Sequence, residues 1–273
     1  MIRPSVASDK SALQTLWQVA FGDPPEATDV FFSELYEPGD ALVWDEDGEI
    51  VSAIYLLDAG TIDDLRVSYS YALATLPAYR GRGLGSALTQ AAITHSAELD
   101  YDCNLICPAE ESLFGYYERL GYTHTLPIAE GEITYAKARN NVIIHNIMST
   151  NFETYAQLRQ SLLPPSAVAY PEAFLHYAAP GGESSREGLY RLELEGQIGC
   201  AAVERRGGRL FVKEILPATF AELGTQALLE HFDMESALYR TVPENGGRPF
   251  VLVAFAEDSP PTNFDAYFPF ALD

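Results

Sequence analysis

Apolar residues return along this chain at two periods, and the switches between them mark its elements. Ile2 to Val6 reads as an opening strand. Ser8-Asp9 then precedes Leu13, Leu16, Trp17 and Ala20 at helical spacing, which predicts a capped helix over Lys10 to Phe21. A second helix is predicted over Thr28 to Tyr36, stopping near Pro38-Gly39. Ala41 to Trp44 and Ile50 to Leu57 flank Asp45-Glu46-Asp47-Gly48-Glu49, an acidic turn with glycine, and predict a hairpin. Tyr69 to Leu76 alternates aromatic and small residues as a half-buried strand does, and Pro77, having no N–H for a ladder, should end it. Leu84, Leu88, Ala91 and Ala92 continue at helical spacing. Tyr101 to Cys107 reads as a strand, Leu113 to Leu120 as a short helix, and Thr123 to Leu126 with Glu132 to Ala136 as two closing strands.

The second half repeats this order. Leu189 to Leu194, Gln197 to Glu204 and Arg209 to Ile215 form a three-strand meander with turns at Glu195-Gly196 and Gly207-Gly208; a helix over Ala218 to Phe232 and a strand over Phe250 to Ala256 follow. Two domains are expected, residues 1–140 and 141–273. Leu163-Pro164-Pro165-Ser166 and Pro180-Gly181-Gly182-Glu183-Ser184-Ser185 read as exposed loops.

Between the strand ending at Pro77 and the next helix stands Arg80-Gly81-Arg82-Gly83-Leu84-Gly85-Ser86. A turn that empties into a helix presents backbone amides with no intrahelical acceptor, which suits an anion. Three alternate glycines remove side chains that would hold a phosphate away, and two arginines add charge-assisted donors. A strand-to-helix turn with two solvated arginines would need only one glycine. There is no Gly-Lys-Ser or Gly-Lys-Thr ending of a P-loop, and no opening βαβ unit of a dinucleotide fold. The corresponding stretch of the second half, Leu216-Pro217-Ala218-Thr219-Phe220-Ala221-Glu222-Leu223-Gly224, has no arginine-glycine loop.

At Arg80, Gly83 and Gly85 the chain resembles the GNAT superfamily of acyl-CoA-dependent N-acyltransferases, whose cofactor signature is Arg or Gln, two residues, Gly, one residue, then Gly or Ala. Tyr116-Tyr117-Glu118-Arg119-Leu120-Gly121-Tyr122 resembles a second family segment, in the expected order. The resemblance implies an α/β (α+β) fold with a mixed, mostly antiparallel sheet flanked by helices, here with a degenerate GNAT-like second domain. It implies acetyl-CoA as cofactor, with Leu73, Ala74 and Thr75 offering backbone groups to the pantetheine arm, in a gap between splayed strands. Residues Arg80, Gly81, Arg82, Gly83, Leu84, Gly85 and Ser86 would hold the pyrophosphate, and Tyr117 would sit beside the thioester sulfur. Where family members often carry Asn, about seven residues before this Tyr, the chain has Glu110.

A phenol of ordinary pKa about 10 is protonated at neutral pH and can serve a departing thiolate as general acid. Packing of a short helix is the alternative for Tyr117 in a chain with 16 Tyr. The sequence leaves the base open among Glu110, Glu111, Asp63, Asp64 and the terminal carboxylate at Asp273. The last is a candidate because Phe264 to Leu272 is too apolar for a free tail and some bacterial relatives with an added C-terminal domain use theirs. Backbone N–H groups near Leu73 to Thr75 would polarise the thioester oxygen.

Composition narrows the partners. With 47% apolar residues, 273 residues can bury a sizeable core or two. A net charge of −22 argues against nucleic acid, and the charge is uneven: −16 over residues 1–136 and −6 over the rest. Such a field draws in cations, which favours a small cationic amine or a peptide amine as substrate, although solubility alone explains it as well. Three Cys without a CxxC pair and five scattered His imply neither a disulfide framework nor a metal. No apolar run approaches a membrane span and no secretory pattern opens the chain, so a cytoplasmic location without membrane contact is expected. The expected activity is N-acetyl transfer to an amine; the alternative is a non-catalytic CoA-sensing or substrate-binding module.

Overall fold

Strands β1 (Ile2–Pro4), β2 (Ala41–Glu46), β3 (Glu49–Ile62) and β4 (Leu65–Thr75) form an antiparallel series in the computed structural model, which describes residues 1–134, 146–179, 188–244, 246–256 and 264–272. Both faces of β3 and of the first part of β4 are covered. The alternation along β4 therefore sorts side chains between two interiors rather than between core and water. Tyr69 packs among aromatic rings. Ser68 and Ser70 face the other way, where Asn104 Nδ2 donates to Ser68 Oγ at 2.7 Å and Ser70 Oγ donates to Asn104 Oδ1 at 2.8 Å.

Helices α1 (Lys10–Phe21) and α2 (Pro25–Glu34) supply the aromatic side. Trp17 lies 4.7 Å from Phe31 and 5.5 Å from Tyr55 between ring centroids, in the tilted arrangements aromatic pairs prefer. Asp9, expected to cap α1, does not accept from the helix. It accepts from the Val6 amide at 2.8 Å and from Arg3 Nη1 at 2.7 Å, because a short 3-10 turn, Ala7–Asp9, precedes the helix. The opposite face carries α3 (Leu84–Glu98), whose Leu88 and Ala92 pack with Ile54 and Leu56. Strand β5 (Cys103–Ile106), α4 (Phe114–Glu118) and β6 (His124–Thr134) complete the first half.

The second half contributes β7 (Asn146–Thr150), α5 (Phe152–Leu162), α6 (Glu172–Ala178), β8 (Gly188–Leu194), β9 (Gln197–Arg206), β10 (Arg209–Leu216), α7 (Ala221–Phe232), β11 (Ser236–Thr241) and β12 (Arg248–Phe255). Among the described residues the strands form one sheet in the order β1-β2-β3-β4-β5-β12-β6-β11-β10-β9-β8-β7. Two pairs are parallel, β4 with β5 and β10 with β11, each joined across a helix, α3 and α7; the other pairs are antiparallel. The order of strand, strand, strand, helix and strand does recur, but the strand that completes it is β11, which the sequence reading did not single out; the strand expected there over Phe250 to Ala256 is β12 and pairs with β5 and β6 instead.

The halves are tied at the middle of the sheet. Strand β12, from the end of the chain, lies between β5 and β6, and β6, from the first half, lies between β12 and β11. The two closing strands expected over residues 123–126 and 132–136 are one strand as far as Thr134, and residues 135 and 136 lie outside the described residues. Pro127 sits opposite Pro249, so two residues without an N–H face each other, and a Cβ on Gly131 would come within 2.4 Å of the Tyr239 ring. The expected division at residues 140 and 141 and the loop over Pro180 to Ser185 lie outside the described residues. Of the other expected loop, Pro165 is exposed while Leu163, Pro164 and Ser166 are half-buried, since the Ser166 carbonyl accepts from the Tyr267 amide at 3.3 Å.

That contact belongs to a C-terminal segment that is docked, as its apolar sequence requires. Phe264, Tyr267, Phe268 and Phe270 are buried, and the Tyr267 carbonyl accepts from the Val168 amide at 3.0 Å. Nearby, Arg159 of α5 and Glu214 of β10 form a buried ion pair, Nε to Oε2 at 2.7 Å and Nη2 to Oε1 at 3.1 Å, with the Tyr155 hydroxyl donating to Oε2 at 2.8 Å. Removing one partner would strand a buried charge. Among the described residues no helix is long and apolar enough to cross a membrane, and no group of three or more His, Cys, Asp or Glu is placed to hold a metal.

Candidate active site

The site begins where two parallel strands part. Strand β4 pairs with β5 from Val67 opposite Cys103 to Ser70 opposite Ile106, then runs on through Tyr71–Thr75 without a β5 partner. A bulge at this point, with Tyr71 opposite Tyr55 but Ala74 opposite Ala53, puts Ala72 at φ 47° and turns β4 away. The opening is a cleft of about 790 Å³, lined from β4 by Tyr71, Ala72 and Leu73 and from α4 by Tyr117. This is the gap between splayed strands that the sequence resemblance implies. Ala74 and Thr75 lie beyond the cleft lining. The Ala74 carbonyl takes the Ser52 hydroxyl at 2.6 Å, and that of Thr75 takes Arg80 Nε at 3.0 Å.

Beyond Thr75 the chain makes a 3-10 turn, Pro77–Tyr79, and enters α3 through glycine. Gly83 is the N-cap residue at φ 79°, ψ 7°, the left-handed region that a side chain disfavours. The amides of Leu84, Gly85 and Ser86 open the helix, and the Ala87 amide donates to the carbonyl of the cap residue Gly83 at 3.0 Å. A Cβ on Gly85 would meet nothing nearer than the Leu73 side chain at 3.6 Å, so the protein's own packing does not require glycine there. The arginines divide. Arg80 braces the turn through Thr75, whereas Arg82 Nη2 is committed to Glu46 at 3.0 and 2.9 Å, with its guanidinium 5.2 Å from the Tyr79 ring centroid. Ser86 Oγ lies 3.0 Å from the Tyr116 hydroxyl, joining the helix start to α4.

Tyr117 is buried, 8% exposed, with its ring edge-on to Tyr116 and Tyr122 at 5.0 and 6.0 Å. Burial above all, and then the neighbouring Tyr116 and Cys107, push its phenol up to about 12. It therefore keeps its proton across the neutral range. Of the candidate bases, Glu110 and Glu111 are exposed and line the cleft, whereas Asp63 and Asp64 turn the β3–β4 hairpin and do not. Asp273 lies outside the described residues; Ala271 and Leu272 line the cleft, and the Ala271 carbonyl accepts from the Tyr69 hydroxyl.

Sequence reasoning did not single out the wall that the second half supplies. Arg240 of β11 and Arg248 and Phe250 of β12 line the cleft, as does Cys107 at the end of β5. Glu130 of β6 holds both arginines: it accepts from Arg240 Nε at 3.1 Å and from Arg248 Nε and Nη2 at 2.9 and 2.7 Å. Burial opposes its ionisation, but these two guanidinium groups outweigh it and hold its carboxyl below the usual range. No local pattern announces these residues, because the strand exchange brings them to the site from over a hundred positions away.

Comparison with known proteins agrees with this geometry. Residues 1–125 match the family model described as an acetyltransferase (GNAT) domain. No curated protein matches the sequence. Among solved structures, a probable N-acyltransferase of unknown function from Enterococcus faecalis V583 superposes with TM-score 0.69 at 15% identity, over 94% of this chain and 72% of that one. A GCN5-related N-acetyltransferase from Anabaena variabilis gives TM-score 0.69 at 13% identity, over 94% and 73%. A tandem GNAT protein from the clavulanic acid biosynthesis pathway gives 0.57 at 14%, over 95% and 99%. Residues 1–125 thus carry the match to a GNAT acetyltransferase domain, and the fold shared with these solved structures, one of them a tandem GNAT protein, extends over nearly the entire chain.

Proposed function

We propose that this protein transfers an acetyl group from acetyl-CoA to a primary amine of a small molecule or peptide, by direct attack of the amine. The observation that carries the reading is the pairing of an open helix N-terminus behind Gly83 with a cleft, at the parting of β4 and β5, that is lined by Tyr117, whose phenol keeps its proton. The residues fit the cofactor. The amides of Leu84, Gly85 and Ser86 and the dipole of α3 suit its diphosphate, and the backbone space at Gly85 admits a close approach. The edge of β4 at Tyr71–Leu73, beyond the end of its pairing with β5, offers backbone groups to an amide-bearing arm. When bound, the cofactor supplies the acyl group activated as a thioester.

The chain's own residues supply the rest. The amine must arrive neutral to act as a nucleophile, and Glu110 and Glu111 at the cleft are carboxylates that can take its proton directly or through water. Tyr117 Oη holds the proton that a leaving sulfur needs, and its raised pKa keeps it the donor throughout the neutral range. The apolar walls, Phe21, Phe114 and Phe250, limit water at the reacting groups.

The test is thiol release from acetyl-CoA over a panel of amines, with calorimetry of CoA binding alongside. Tyr117→Phe should lower kcat about 100-fold and leave the CoA dissociation constant unchanged. Because the phenol titrates near 12, activity should show no loss from its ionisation up to about pH 10. Equal loss of turnover and CoA affinity would overturn the acid assignment. CoA binding without amine-dependent thiol release would replace the enzyme reading with a CoA-sensing module.

A further inference from the structure

The cleft is lined from both faces of the sheet, and the two linings differ in chemistry. Ile106, Leu113, Phe114 and Tyr117 belong to the cluster under α4, which also takes Ile93 of α3, whereas Tyr71, Ala72, Phe250 and Leu272 pack with the aromatic cluster of α1 and α2. The helix start proposed to hold the cofactor diphosphate is on the first of these faces. The second face is the one left to an acceptor.

That face presents a file of rings. The Trp17 ring lies edge-on to Tyr71 at 5.5 Å and to Phe21 at 5.7 Å, so the file runs from β4 to the last residue of α1. Exposure rises along it: Trp17 is 5% exposed and Phe21, which lines the cleft, 48%. Phe250 lines the same cleft from β12 and is buried. A large ring left half open beside a cleft keeps apolar surface that a ligand can cover. The charged lining residues come from other elements, Glu110 and Glu111 from the loop after β5, Glu118 from α4, and Arg240 and Arg248 from β11 and β12. Among the described lining residues, α1 and β4 contribute no charge. One ammonium can therefore meet the carboxylates of the β5–α4 loop while the body that carries it lies on rings. A second ammonium on that body would meet no carboxylate there.

We propose that the acceptor is an arylalkyl amine, one primary amine on an aromatic body, and that Phe21 seats its ring. The proposal rests on the acyltransferase reading for the fate of the amine, but the ring seat is measured by binding alone. Phenethylamine, ethylamine and spermidine are titrated by calorimetry into the CoA-loaded full chain, and CoA into the free chain. The variants are Phe21→Ala, Phe21→Trp and Val19→Ala; Val19 is an exposed apolar residue of the same helix that does not line the cleft. Thiol release from acetyl-CoA is followed with each amine.

Wild type should bind phenethylamine about tenfold or more tightly than ethylamine, and spermidine no more tightly than ethylamine. Phe21→Ala should remove most of the ring preference, Phe21→Trp should keep it, Val19→Ala should leave it intact, and CoA affinity should be the same in all. The absence of a ring preference in wild type, whether both amines bind or neither does, overturns the proposal, as does tighter binding of spermidine. An unchanged preference in Phe21→Ala, or an equal loss in Val19→Ala, takes the seat away from Phe21, and a parallel loss of CoA affinity in Phe21→Ala gives the ring to the cofactor; each of these overturns it too. Should Phe21→Ala fail to fold, the wild-type preference and the tryptophan variant decide. A ring preference in binding with no thiol release from any amine would instead refute the acyltransferase reading and leave the aromatic seat standing.

Discussion

The two helix starts that follow the parallel-paired strands, α3 after β4 and α7 after β10, occupy equivalent places in a repeated unit yet offer opposite surroundings to an anion. In the first half six positions separate Pro77 from the N-cap Gly83, and the cap is left-handed. In the second half three positions separate Pro217 from the N-cap Phe220, which is right-handed at φ −99°, ψ −10°. Phe220 is buried and packs where a Cβ on Gly199 would come within 2.6 Å of its ring. Glu222 stands in the first turn of α7, so the dipole end already has a carboxylate. The cavity beside it, about 400 Å³, is lined by Glu130, Glu222 and Glu244. One scaffold thus leaves a helix start open where the turn is long and glycine-capped, as the proposed cofactor site requires, and encloses it where the turn is short, packed by its own ring and acidic.

The halves differ in the turn but share their strands, and the largest expected effect breaks that sharing. Removing residues 247–273 deletes β12, leaving β5 and β6 without the strand between them, and takes Phe250, Val251, Leu252, Val253, Phe264, Tyr267, Phe268 and Phe270 from the interior. At about 2 kcal/mol for each buried side chain, the loss exceeds the net stability of an ordinary domain, about 5–15 kcal/mol. The truncated chain should not fold; a monodisperse product with native-like circular dichroism would mean that the first half closes its own sheet. Next in size is Gly83→Glu. A left-handed non-glycine residue costs about 1–2 kcal/mol, which leaves the chain folded, but a carboxylate at the helix start should weaken acetyl-CoA binding by about tenfold or more. An unchanged calorimetric titration would move the cofactor away from α3.

What could be read from the sequence follows from how local each signal is. Helix α1 was legible to the residue, because Leu13, Leu16 and Trp17 form one buried stripe and Gly22 ends it in a left-handed cap. The glycine turn at Arg80 to Ser86 was legible because its conformational demand is met by its own residues. Strand β6 was not, since Pro127 and Gly131 break strands unless a facing Pro249 and Tyr239 make them useful, and those partners come from the other half. Helix α5 escaped because its buried face carries Tyr155 and Arg159, polar groups satisfied only by Glu214 of β10. The arginine wall of the cleft was hidden for the same reason: nothing in the local sequence marks Arg240 and Arg248, and the strand exchange alone sets them beside Tyr117's cleft.

The smallest expected effect tests whether the second helix start is silent by construction or only by charge. Glu222 is exposed in the first turn of α7, where a carboxylate stabilises the helix through its dipole, and it lines the cavity at that end. Glu222→Gln keeps the shape and removes the charge. The melting temperature should fall by about 1–2 °C, and acetyl-CoA should still bind with a stoichiometry of one, because the turn remains three positions short and Phe220 still fills it. A second binding event in calorimetry would show that charge alone had closed the site, and the contrast between the two turns would then rest on one carboxylate rather than on backbone length.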